Sequence, residues 1–300
     1  MDKVYIFGFY FLKTLIAITP SCIHNIFIKF MAFVYMKTNK KRFKVIMTNL
    51  DLAFEDSLTY EQKLNIANKV YINFANFLGI NFIKNQDSTK EKILDRVVFK
   101  NENFLTKAIK DKRSIIIQSA HCGEWELIPL AIAAKFGKGS VIGRKLDSNA
   151  MQKILQKNRT QFNLELIDKK DGIKQILKSI KDGRMIGILV DQNTAKKEGI
   201  EVSFFNKRAL HTPSASVIAE KTNSIIIPTL IHKLNENKNE ICFFEPIDPN
   251  DYQNMKKHEA ILQMTQKQAD ITEYFIRQNP DEYFWFHKRF KHFYEDKYEN

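Results

Sequence analysis

Apolar residues along this chain fall in short blocks of two kinds. The first is an unbroken, β-branched run. Ile115-Ile116-Ile117 leads into Gln118-Ser119, and an apolar run of that length without alternation predicts a strand buried on both faces. Residues 185–190 and 225–231 repeat the pattern, and 140–143, 164–167 and 241–244 are shorter versions of it. The second kind spaces its apolar residues by three or four. Tyr60, Leu64, Ala67, Tyr71, Phe74 and Phe77 make such a stripe within 49–83, which predicts helix. Helices are predicted in the same way over 104–110, 124–135, 149–162, 172–181, 211–222 and 256–278. Thr212-Pro213 suits a helix start, while Gly183 and Pro280 suit helix stops. Strands alternate with helices through most of the chain. That order predicts an α/β protein with a mainly parallel central sheet flanked by helices.

The first 36 residues break the alternation. Residues 4–18 are nearly all apolar, with Lys13 their only charge and Pro20 just beyond; a second apolar and aromatic stretch covers 26–36. A full membrane span needs about 20 apolar residues, so the pattern predicts a marginal span or an interfacial helix. We read 1–36 as a hydrophobic helical membrane anchor and 37–300 as the domain it carries; a pair of buried core helices is the alternative. Lys37, Lys40, Lys41, Arg42 and Lys44 follow at once. A cluster of that kind is attracted to anionic lipid by about 1 kcal/mol per charge. No small-residue cleavage site follows the apolar run, so a removed signal peptide is not expected.

Charge extends this picture to the whole chain. The 300 residues carry a net charge of +13, with a pI near 9.4, which favours an anionic partner. Cys22, Cys122 and Cys242 are scattered and odd in number, as in a reducing compartment. The segment 279–291 mixes aromatics with cations. It suits a membrane interface; stacking on single-stranded nucleic acid is the alternative, but no nucleic-acid-binding fold accompanies it and nucleic acid is not expected as a partner. Gly-rich phosphate loops, a G-x-S-x-G elbow and metal-ligand spacings are missing from the sequence, so neither a metal nor a cofactor is expected.

Candidate chemistry gathers where strands end, the place where open α/β sheets bind ligands. His121 follows the Ile115 strand, and Glu126 lies five residues on. On one regular helix those side chains would diverge by roughly 140°. They meet only if His121 sits in a turn, Gly123 is the joint and Glu126 opens the helix. Glu126 then accepts from one imidazole nitrogen, and the other is free to take a proton from a hydroxyl. The plainer reading is a histidine capping a loop. Arg144 and Asp191 end two further strands, with a surface charge and a loop cap as their plainer readings. Lys207 and Arg208, just before Thr212-Pro213, suit an anion or simply solvent. Cys122 reads as a small apolar packer rather than a nucleophile.

These residues resemble, in order, the motifs of the late acyltransferases of lipid A biosynthesis, lauroyl/myristoyl type, in the lysophospholipid acyltransferase-like superfamily. The apolar start is similar to that family's anchor. Lys41-Arg42 through Asn49-Leu50 to Phe54 is similar to its basic, Asn-Leu, aromatic stretch, and His121 to Glu126 is similar to its His-x4-Asp/Glu motif. Gly143-Arg144 to Asn149 resembles its Arg-Pro-x-x-Asn segment, with Lys145 in place of the proline, and Arg159 falls on its next arginine. Asp191-Gln192 matches its Asp-Gln, and Phe204-Phe205-Asn206 resembles its Phe-Phe-Gly with asparagine for glycine. Pro280 to Phe290 closely resembles its Pro-Glu-Gln-Tyr-x-Trp-x-His-(Lys/Arg)-Arg ending. The resemblance implies a glycerolipid acyltransferase-like fold at the cytoplasmic face of the inner membrane. It implies transfer of a fatty acyl chain from acyl carrier protein to a hydroxyl of a Kdo-bearing lipid A precursor, with no cofactor. His121 would be general base and Glu126 its orienting carboxylate, with Arg144 and backbone N–H groups near Gly123 as oxyanion donors. Arg144, Arg159, Asp191 and Gln192 would bind substrate. An acyltransferase with another lipid acceptor, and a non-enzymatic basic membrane-surface protein, are the alternatives.

Overall fold

The computed structural model describes residues 2–169 and 172–299. Its strands are β1 (Val97–Lys100), β2 (Ile115–Ser119), β3 (Gly139–Gly143), β4 (Leu164–Asp168), β5 (Met185–Leu189), β6 (Ile200–Phe204), β7 (Lys207–His211), β8 (Ile225–Lys233) and β9 (Asn239–Phe243). Seven of them form one sheet in the order β1-β9-β8-β2-β5-β3-β4, and β6-β7 form a separate antiparallel ribbon. Every pairing in the large sheet is parallel except β8 with β9. The α/β expectation therefore stands. β2 lies at the centre, where Ile116 pairs with Ile226 on one side and Ile186 on the other. All five of its residues are buried, the reason its sequence shows no alternation.

The helices are α1 (Asp2–Ile18), α2 (Ser21–Thr38), α3 (Lys40–Phe54), α4 (Tyr60–Asn76), α5 (Phe82–Asn85), α6 (Lys90–Leu94), α7 (Asn103–Lys110), α8 (Leu127–Phe136), α9 (Asn149–Arg159), α10 (Ile173–Lys181), α11 (Ser214–Thr222), α12 (Lys257–Gln278) and α13 (Asp296–Glu299). One core joins α7 and α8 to one face of the sheet, and another joins α10, α11 and α12 to the opposite face. A third core holds the carboxyl-terminal segment. Tyr283, Trp285, Phe286 and Phe290 pack there against α3, α4 and the ribbon. Asn49 pins this segment, donating its amide to Trp285 O and His287 O at 2.8 Å each.

Three sequence expectations are corrected. The helix predicted over 49–83 is several pieces: α3 runs back to Lys40 and ends where Glu55 takes φ +43°, and Thr59 recaps the chain with a capping box before α4. After α4 a π-helical turn spans Phe77–Asn81. Residues 203–208, outside every strand and helix predicted above, close the β6-β7 hairpin, with Phe205 and Asn206 at φ +56° and +55°. Asn206 stands where the resembling motif has glycine, and asparagine tolerates that left-handed conformation. Lys207 and Arg208 are held by Glu55 and Glu201, respectively, rather than gathered as an anion site.

The apolar amino terminus forms two helices broken at Pro20, and among the described residues no helix is long and apolar enough to cross a membrane. α2 lies along α4 and α1 along α9, and Lys13 binds Asp87 at 3.0 Å. The outer faces leave Phe7, Phe11, Ile26, Phe30 and Phe33 exposed.

Candidate active site

β2 and β5 are neighbours in register, Ser119 opposite Leu189. Two residues beyond each lie His121 and Asp191, and the parallel pairing brings them together. His121 Nδ1 donates to Asp191 Oδ1 at 2.8 Å, and the Gln192 amide lies 3.3 Å from His121 Nε2. With its Nδ1 proton fixed on the carboxylate, the imidazole presents a lone pair at Nε2, where Gln192 donates. Asp191 is buried. Burial alone would raise its carboxyl, but the charge and hydrogen bonds of His121 bring it down to about 2. Asp191 is thus the ionised partner of this histidine.

The expected His121–Glu126 contact is not formed. Arg159, at the end of α9, takes the Glu126 carboxylate with both arms of its fork, Nε to Oε2 at 2.8 Å and Nη2 to Oε1. A planar guanidinium satisfies both carboxylate oxygens at once, which an imidazole cannot do. Burial opposes the charge of Arg159, and the bonds to Glu126 more than restore it, so its pKa is raised. Glu126 and Arg159 are the only charged residues, among those described, lining a cavity between α8 and strands β2, β5 and β3, about 630 Å³ of space that includes its opening to solvent. Its remaining walls are mostly aliphatic, with Ile128, Ile132, Val141, Ile188 and Leu189 among them. Trp125 lines the same cavity and sets its ring edge-on to His121 at 5.2 Å.

Two of the expected oxyanion donors, Arg144 and the Gly123 N–H, are engaged elsewhere. Arg144 has its side chain 82% exposed and lies 3.6 Å from Asp147. The Gly123 N–H is spent on Glu282 O at 2.9 Å. The Gln192 amide is the donor that stands beside Nε2. Gly123 has a different duty as the bend of the turn. It holds φ +53°, and a Cβ there would come within 2.7 Å of Ile231 O and 2.8 Å of the Glu282 carboxylate. Gly123→Ala is expected to cost about 1–3 kcal/mol and to slow any reaction run by His121, as read by thermal unfolding alongside turnover. Cys122 is buried, and burial together with Asp191 and Glu282 pushes its thiol well above the ordinary value. It packs, as expected.

The carboxyl-terminal segment supports the site from below, a role the sequence did not reveal. Phe284 N–H donates to His121 O at 2.9 Å, and Cys122 pairs with Tyr283 as an isolated bridge. Asn193 N–H points to His287 Nδ1 at 3.4 Å, and His292 reaches Thr194 O at 2.9 Å. Both contacts hold the loop that carries Asp191 and Gln192. Arg289 is fully buried, bonded to Leu210 O and His211 Nδ1 and lying over the Phe204 ring. Burial and the Arg289 charge drive His211 down to about 3, so it accepts as a neutral ring. The signal in the sequence was the density of aromatics and cations around Trp285, which marked the segment but not its partners.

The strand-end histidine, its buried aspartate, the adjoining apolar cavity and the terminal aromatic segment thus adjoin one another. No curated protein matches the chain. The family model for bacterial lipid A biosynthesis acyltransferase matches residues 3–292, nearly the whole length, and the chain belongs to that family of acyl-transferring enzymes.

Proposed function

We propose that this enzyme moves a fatty acyl chain from acyl carrier protein to a hydroxyl of a Kdo-bearing lipid A precursor at the cytoplasmic face of the inner membrane. The observation that carries this reading is the juxtaposition of a base-competent His121 with the apolar cavity through Trp125. The cavity suits the acyl chain, each buried CH₂ contributing about 0.8 kcal/mol. In the reaction, His121 Nε2 takes the proton of the acceptor hydroxyl, whose oxygen attacks the thioester carbonyl. Asp191 holds the tautomer and stabilises the imidazolium. The Gln192 amide donates to the developing oxyanion. Collapse expels the carrier thiolate, which takes the proton back from His121, giving ester and thiol. This sequence needs neither a metal nor a cofactor. Glu126 and Arg159 shape the charged edge of the cavity instead of serving the histidine.

The exposed aromatic faces of α1 and α2 suit shallow burial in a bilayer interface, and the net charge of +13 suits anionic lipid, acidic carrier protein and acidic acceptor alike. Acyl transfer from carrier thioesters of several lengths to Kdo-lipid A precursor, followed by mass spectrometry of the lipid, tests the reading. One added chain is expected with the wild type and none with His121→Ala. Failure with every thioester, using folded protein in membranes, would discard the acceptor. Transfer at the wild-type rate after His121→Ala would discard the base.

A further inference from the structure

The antiparallel pair β8–β9 carries chemistry that the transfer step does not use. His232 and Glu240 face each other across it, and Cys242, opposite Leu230, lies two residues beyond Glu240. Side chains two apart on a strand share a face, and diagonal neighbours across a pair are within reach, so all three project from one side of the sheet. His232 Nε2 lies 3.2 Å from Glu240 Oε2, and the Cys242 thiol donates to the same oxygen at 3.3 Å. One atom from each residue falls within 4.8 Å of the other two, and among the described residues no other three metal-ligating side chains converge in this way. We propose that His232, Glu240 and Cys242 form a binding site for a divalent transition-metal ion of the zinc type, which ties β8 to β9.

The donor set and its spacing select the ion. Imidazole, carboxylate and thiolate together suit zinc, whereas magnesium and calcium take oxygen ligands. With bonds of about 2.0 Å to oxygen, about 2.1 Å to nitrogen and about 2.3 Å to sulfur, tetrahedral zinc holds its ligands roughly 3.3–3.5 Å apart. The two separations to Glu240 Oε2 already match. Three protein ligands leave a fourth position for water. His232 and Glu240 keep 20% and 17% of their side chains exposed, which gives an ion a path from solvent, while Cys242 is buried behind them. Burial and the Glu240 carboxylate push the Cys242 thiol up to about 12, but a bound dication deprotonates a coordinating thiol outright. The Lys100 ammonium, 3.5 Å from Glu240 Oε2, is 59% exposed and free to turn into water as an ion enters.

The sequence shows no metal-ligand spacing here because the ligands meet only through the β8–β9 register. The position also gives the tie a purpose. On either side of His232, the backbone supports the turn that carries His121: Ile231 O closes off the space beside Gly123, and the Lys233 N–H donates to Glu282 at 2.9 Å. An ion clamping His232 to β9 holds that backbone in register.

The test uses untagged full-length protein in detergent, treated with chelator and titrated with Co²⁺ and then Zn²⁺. The wild type is expected to take up a single equivalent of Co²⁺ with thiolate-to-cobalt charge-transfer absorption in the near ultraviolet, which Zn²⁺ then abolishes. Cys242→Ser should lose that absorption and Cys22→Ser should keep it. His232→Ala and Cys242→Ser should each weaken Zn²⁺ binding by at least about tenfold. Zn²⁺ at about a hundred times its Kd should raise the wild-type Tm by about 5 °C and leave that of Cys242→Ser unmoved. The inference is overturned if the wild type shows no charge-transfer absorption, if the absorption survives Cys242→Ser, or if Zn²⁺ binds wild type and His232→Ala equally. The wild-type spectrum decides even where a variant fails to fold, and acyl transfer enters none of these readouts.

Discussion

Asp191→Asn is expected to lower kcat by about 10²–10⁴-fold while leaving the protein folded, as large a loss as His121→Ala. Asp191 accepts the Nδ1 proton of His121 at 2.8 Å from a fully buried position. An asparagine there can turn its NH₂ toward Nδ1, which then becomes the acceptor. The ring proton moves to Nε2, and the nitrogen facing the substrate can no longer take a proton. Because the two residues act as one unit, His121→Ala/Asp191→Asn should be no slower than the worse single variant. Glu126→Gln is the informative comparison, since that carboxylate touches Arg159 instead. If Asp191→Asn keeps the wild-type kcat and Glu126→Gln abolishes turnover at unchanged stability, the dyad suggested by sequence spacing is the working one and the observed pairing is not.

That substitution of partners shows where sequence reading stops. The turn at His121 and the helix after it were legible because both are local: an apolar run, a glycine, then a second period. Asp191 was legible as a strand-end carboxylate, but its contact with His121 spans 70 residues and depends on β2 and β5 being neighbours. A strand order is not written in either strand. Glu126 was assigned to the nearest histidine in sequence, whereas the closest cation in space, Arg159, sits 33 residues away at the end of α9. The β6-β7 ribbon escaped notice because its turn uses Phe205-Asn206 in place of the glycine that usually announces such a hairpin. Arg289 was legible only as one of the cations of the segment 279–291. Its burial depends on Leu210, His211 and Phe204, which come from another part of the chain.

Breaking the Glu126–Arg159 pair carries the other large expected effect, this time on stability. Glu126 is buried, with 7% of its side chain exposed against 17% for Arg159, so its charge has little recourse to water. Arg159→Met leaves that carboxylate unpaired at the edge of an apolar cavity and is expected to cost about 3–5 kcal/mol, a fall in Tm of about 10 °C, measured by thermal unfolding in detergent. Replacing both groups removes the stranded charge. Glu126→Leu/Arg159→Met should therefore recover most of the lost stability. Turnover should not return with it, remaining at least about tenfold low. Arg159 Nη1 lies 2.6 Å from where a Gly143 Cβ would stand, so the guanidinium props the end of β3 where the chain leaves the cavity wall, and a methionine offers no donors there. A double variant that regains both stability and turnover would reduce the pair to a structural tie. One that regains stability alone would show that the charged edge of the cavity is retained for its geometry, with the chemistry left to His121 and Asp191.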